Sequence, residues 1–139
     1  MKFFYCLILF FTFNSNGCIR NSSKINLELL NGYWRINFIT QKNETFRPNG
    51  LTKLVDHYSL ENKNGIRKKA QPLIENKFIV TEDGSPFKIV NIENDYFIEF
   101  ETKWYQWQEK IIKLNKAELI LEHQEKRYHY KRFSYNLNK

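Results

Sequence analysis

Between residues 32 and 135 the chain alternates apolar and polar side chains in short runs, and no long segment keeps a 3.6-residue apolar period. Successive side chains on a strand point to opposite faces, so this alternation marks half-buried β-strands. In 32–41, Trp34, Ile36 and Phe38 share one face while Arg35 and Asn37 take the other. In 96–104, Tyr96, Ile98, Phe100 and Trp104 oppose Phe97, Glu99 and Glu101. Stretches 118–123 and 127–135 read as a final hairpin, with Tyr128, Tyr130 and Arg132 opposed to Arg127, His129, Lys131 and Phe133. The punctuation agrees: Asn49-Gly50, Asn64-Gly65 and Asp83-Gly84 are pairs that accept the positive φ of tight hairpin turns. Weaker turn positions fall at Asn94-Asp95, Asn115-Lys116 and Glu125-Lys126, and Pro72 and Pro86 suit strand ends, edges or bulges. The long runs 66–82 and 96–114 each bend into two strands. The expectation is an all-β, antiparallel meander of eight or nine strands, closed into a small barrel that leaves no unpaired edge.

The chain is 139 residues long. Residues 1–17 read as a leader: Lys2 is a minimal positive start, and 3–13 (FFYCLILFFTF) is apolar but too short to span a bilayer. The 139 − 17 = 122 residues left suit one small domain with its own core. Formal net charge is +7, or 21 − 15 = +6 once Lys2 is removed. Basic blocks such as Arg67-Lys68-Lys69 and Lys126-Arg127 read chiefly as a solvated face of a Lys- and Asn-rich chain. An exported protein rarely meets nucleic acid, so none is expected as a partner.

Gly17-Cys18 directly after the apolar run resembles the bacterial lipoprotein signal. That resemblance implies cleavage before Cys18, acylation of its thiol with palmitate-type chains, and attachment to the outer membrane or periplasmic face; ordinary secretion is the alternative. Cys6 leaves with the leader, so Cys18 has no disulfide partner. The tether after it, 19–24, is polar and lacks an acidic cluster, and 25–30 (INLELL) suits a helical turn.

Asn31-Gly32-Tyr33-Trp34, opening the first strand after that turn, resembles the lipocalin-like (calycin) barrels. The ending Tyr128-x-Tyr130-Lys131-Arg132-Phe133 adds to a likeness with small lipocalin-like lipoproteins of Bacteroidota type. The resemblance implies that Gly32 admits a close turn, that Trp34 plugs the closed end, and that Arg132 packs across it, with Arg127 second choice. The expected division is 1–17 signal peptide, 18–29 lipidated cysteine and tether, 30–135 barrel, and 136–139 tail.

Sites for chemistry are sparse. Asp56 and His57 are adjacent on a strand and face apart, and Glu99 and Glu101 suit a solvated strand face. His123 and His129 sit on opposite arms of the last hairpin without converging, so neither a metal nor a catalytic group is assigned. No cofactor is expected and no enzyme is read. The dense aromatic cluster is Trp104-Tyr105-Gln106-Trp107. The favoured reading is a barrel that binds a small apolar or amphiphilic ligand without catalysis. Phe38, Phe100, Trp104 and Tyr130 would line it, and Arg35 or Arg67 would meet an anionic head. The alternative is a filled barrel that docks another envelope protein.

Overall fold

The computed structural model describes residues 24–48 and 53–134. The leader 1–17, Cys18, the Asn49-Gly50 turn and the tail 136–139 lie outside the described residues. The strands are β1 (Gly32–Gln41), β2 (Glu44–Phe46), β3 (Val55–Glu61), β4 (Asn64–Pro72), β5 (Phe78–Ile92), β6 (Asp95–Glu101), β7 (Gln106–Leu114), β8 (Glu118–His123) and β9 (Lys126–Arg132). From β3 to β9 each strand pairs antiparallel with the next, and β1 pairs with both β3 and β9. Eight strands therefore close a lipocalin-like barrel, and β2 is an extra strand folded onto the far end of β1.

The hairpins turn where two successive residues take the left-handed conformation, the geometry that matches strand twist. These pairs are Asn62-Lys63 (φ 49° and 69°), Glu93-Asn94 (52° and 70°) and Gln124-Glu125 (49° and 61°). The turns expected at Asn64-Gly65, Asn94-Asp95 and Glu125-Lys126 are thus displaced by one or two residues, and Asp83-Gly84 lies inside β5. Gly65 serves space rather than turning, because a Cβ there would run into the Phe87 ring and the Ser59 carbonyl. Asn115 does make its turn, its Oδ1 accepting from the N–H groups of Ala117 (2.9 Å) and Glu118 (2.7 Å).

One end of the barrel is shut by a 3-10 turn, Leu27–Leu30, capped by Asn26, whose Oδ1 accepts from Glu28 N–H. Leu30 and Trp34 are fully buried, and Trp34 Nε1 donates to Leu30 O at 2.8 Å. Asn31 ties this entry to β3, accepting from Leu60 N–H at 2.6 Å. Between them Gly32 sits at φ +120°, with Arg132 Nη1 against its backbone, a place no other residue fits without strain. Above this floor, Tyr58, Ile98, Phe100, Leu119 and Leu121 are also fully buried and fill the interior. Each such side chain contributes roughly 1.5–3 kcal/mol by leaving water.

A second apolar cluster lies outside the barrel. Val55 and Ala70 pair with each other facing outward, yet are only 2% and 0% exposed. An irregularity between Lys68 and Ala70 lets the far end of the β4–β5 hairpin bend back over the outer wall. Phe78 then stacks on Tyr33 (3.7 Å between centroids) and meets Phe133 edge-on (5.8 Å), while His57 lies against Tyr33 (4.5 Å).

Candidate functional site

The interior carries a polar group among its aromatic rings. On β4, Arg67 faces inward opposite Tyr58 of β3, and on β7 Trp107 and Glu109 face inward opposite Phe100 and Ile98 of β6. The Arg67 guanidinium lies over the Phe100 ring at 4.2 Å and 5.9 Å from the centroids of Tyr58 and Trp107. Phe100, fully buried, and Trp107 stack face to face at 4.6 Å. Arg67 Nη1 donates to Glu109 Oε1 (3.1 Å), Glu109 Oε2 (3.2 Å) and the Tyr58 hydroxyl (3.3 Å). Trp107 Nε1 donates to Glu109 Oε1 at 3.0 Å and fixes the carboxylate from the other side.

Only Nη1 of that guanidinium is engaged. Among the described residues, Nε and Nη2 of Arg67 have no acceptor, yet no fully buried side-chain nitrogen or oxygen lacks a hydrogen bond. The free edge of Arg67 therefore reaches solvent, consistent with side-chain exposures of 19% for Arg67 and 13% for Glu109. Around it stand further polar groups: Asp56, buried and bonded to Lys69, and Tyr130, half-buried against the core. Burial raises the Tyr58 and Tyr130 hydroxyls above the ordinary tyrosine range, so both stay protonated at physiological pH. Burial opposes the charge on Arg67, but Tyr58 and Glu109 outweigh it and hold the guanidinium protonated above its ordinary value.

The residues chosen from sequence separate on this frame. Phe100 and Tyr130 lie inside, and Arg67 joins them. Phe38 does not line the interior: a bulge between Ile36 and Phe38 turns it outward, where it stacks on His129 at 4.2 Å. Trp104 is also outside and 77% exposed, because Thr102–Tyr105 is a loop that breaks the alternation after β6. The interior position two residues into the next strand goes to Trp107 instead. Arg35 faces outward with its guanidinium 4.3 Å from the Phe133 centroid. Gly32, Trp34 and Arg132 are brought together, the Arg132 guanidinium 4.1 Å above the Trp34 ring.

Tyr58 and Glu109 were not singled out from the sequence, and Trp107 stood only as a member of the aromatic cluster Trp104-Tyr105-Gln106-Trp107. Glu109 was legible in principle, since Trp107 and Ile111 frame it on one face of an alternating run. On β4 the pattern misleads: Ile66 and Ala70 face outward and Arg67 inward, because the bent hairpin covers the outer wall there.

No protein-family model matches this chain, and no curated protein matches its sequence. In fold it is similar to a lipocalin-like protein from Bacteroides uniformis, at 12% identity over 76% of this chain and 99% of that one, TM-score 0.46. An uncharacterized protein from Bacteroides eggerthii is similar at 8% identity, 75% and 99% coverage, TM-score 0.47. Lobster apocrustacyanin A1 is similar at 14% identity, 81% and 66% coverage, TM-score 0.44.

Proposed function

We propose that this protein is a lipid-anchored, non-catalytic carrier of the cell envelope whose barrel holds a small amphiphilic ligand. The observation that carries the reading is the half-used guanidinium of Arg67. Its free Nε–Nη2 edge offers two parallel donors to an oxygen-bearing head group, near Trp107, the partly buried member of the Phe100–Trp107 stack, which suits an apolar body. Glu109 balances the Arg67 charge, so the head is selected by hydrogen-bond geometry more than by net charge. Such a site needs no cofactor or metal. Cys18, beyond the described residues, would fasten the carrier to the membrane by its acyl chains.

Titration with a fluorescent fatty-acid analogue tests the site. Saturable binding that is lost in Arg67→Met/Glu109→Leu, with the melting curve kept, is the expected result. Absence of binding across fatty acids, lysophospholipids and sterols would overturn it. Intact mass spectrometry of the membrane-fraction protein beside Cys18→Ser tests the anchor: a mass starting at Cys18 plus acyl chains is expected, and an unmodified chain cut elsewhere would refute it.

A second reading rests on the packing. Fully buried Trp34, Tyr58, Ile98, Phe100, Leu119 and Leu121 leave a densely filled lower barrel, as an envelope interaction module would have. Failure of every amphiphile, with a stable fold, would favour that module.

A further inference from the structure

The hairpin that carries the Phe100–Trp107 stack inside the barrel ends, outside it, in a loop that presents two large aromatic rings to water. Trp104 is 77% and Tyr105 73% exposed. The loop is built rather than slack. Thr102 N–H donates to Tyr105 O at 2.9 Å, and the Thr102 hydroxyl donates to the same carbonyl at 3.1 Å. The Thr102 Oγ1 also accepts from the N–H groups of Trp104 (3.4 Å) and Tyr105 (3.0 Å). Lys103 Nζ lies 5.0 Å from the Trp104 ring centroid, so a cation sits on the outward aromatic. A well-ordered turn that spends its hydrogen bonds on holding Trp and Tyr in solvent is poorly explained by packing, since neither ring reaches the core.

Trp and Tyr favour the boundary between lipid headgroups and acyl chains, where the ring is half-immersed and the N–H or O–H stays wet, and lysine reaches back to phosphate. At the tip Lys103 is offset by Glu101, so the long-range attraction comes from the chain's net charge of +7, which suits an anionic surface. We infer that the Lys103-Trp104-Tyr105 tip is an interfacial foot that seats the open end of the barrel on an anionic lipid bilayer. Glu101 pairs with Gln106 at the base of the loop and Phe100 with Trp107 next, so the foot stands one register step from the aromatic stack. A ligand taken from the bilayer would pass directly along this hairpin. The foot itself does not depend on the ligand reading, and its test uses no ligand.

Trp104 is its own probe, since Trp34 is fully buried and Trp107 lies in the interior. The full-length protein is mixed with phosphatidylethanolamine–phosphatidylglycerol vesicles, and acrylamide quenching is compared with that of Trp104→Phe to isolate the Trp104 signal. The expected result is a several-fold fall in quenching of Trp104 and a blue-shifted emission. Both should be weaker on phosphatidylcholine vesicles, and Trp104→Ser/Tyr105→Ser should co-sediment with the anionic vesicles several-fold less than the parent. A chain held to vesicles only through its N-terminal segment would co-sediment while Trp104 stayed open to acrylamide. That outcome, or no change at all, would overturn the inference and leave the tip to a protein partner.

Discussion

Two arginines lie on aromatic rings inside this barrel, and they are used differently. At the closed end Arg132 covers Trp34 and spends all three nitrogens on backbone carbonyls: Nε on Lys116 O (2.7 Å), Nη1 on Asn31 O (2.8 Å) and Nη2 on Leu29 O. In the middle Arg67 covers Phe100 but commits only Nη1, to Glu109 and Tyr58. The first arginine has every nitrogen engaged and acts as a lock between the chain's entry and its last strand. The second is held in place by one nitrogen and leaves an edge free. Identical side chains on similar rings are thus committed to different degrees: one spends every nitrogen on the fold, the other keeps free donors for the ligand we propose, and the count of engaged nitrogens tells them apart.

The comparison breaks most visibly at the lock. Trp34→Ala should cost about 3–5 kcal/mol, measured by urea unfolding, because it empties the floor of the core. Arg132→Ala should cost about 2–4 kcal/mol by stranding the carbonyls of Leu29 and Asn31 along with the lost ring contact. A loss below half a kcal/mol in either would sink the lock.

In the middle of the barrel, Glu109→Leu leaves the Arg67 charge without its carboxylate. Because both groups keep some solvent, the expected loss is about 2 kcal/mol, below the range for fully buried pairs. Combining it with Arg67→Met should bring stability back to within about 1 kcal/mol of the parent. Ligand binding should be absent from the double variant, which lacks the Arg67 donors. A double variant that melts like the parent and still binds the probe would erase the distinction between the two arginines.

The outer cluster offers a smaller, pH-dependent contrast. Burial, with Lys68 nearby, lowers the His57 pKa from its ordinary 6.5. Above pH 6.5 both folded and unfolded states hold His57 neutral, so it contributes no pH dependence there. As pH falls below 6.5 the unfolded chain takes up the proton first, and stability is lost down to the lowered folded pKa. His57→Gln should flatten the stability curve between pH 7 and 5, read by thermal melts across that range. An unchanged slope would show that His57 titrates freely.

Most of the fold was legible, because alternation is a local signal and runs such as strand 118–123 keep it without interruption. The Gly-x-Trp start and the late Arg132 resembled a known closure, and the two ends do meet there. The site was harder to read. Phe38 and Trp104 both left their expected face because one irregular residue or loop reverses everything after it. Arg67 stood in a basic block that looked solvated, and only the folded-back β4–β5 hairpin, a long-range event, makes the inner face of β4 the polar one.

The barrel is closed by its first and last strands, with Arg132 reaching Asn31 across 101 residues of chain. The intervening strands meet as neighbours through short turns and can pair as soon as they exist, whereas this seam must wait for the C-terminus. Closing so long a loop adds an entropic cost that grows slowly with its length, but its place in time is fixed by the order of synthesis. Until β9 leaves the ribosome β1 is paired only with β2 and β3, and the sheet stays open at the seam. A nascent chain of this topology can pair its inner hairpins early but cannot close its barrel. A truncation that removes β9 would therefore cost the whole seam.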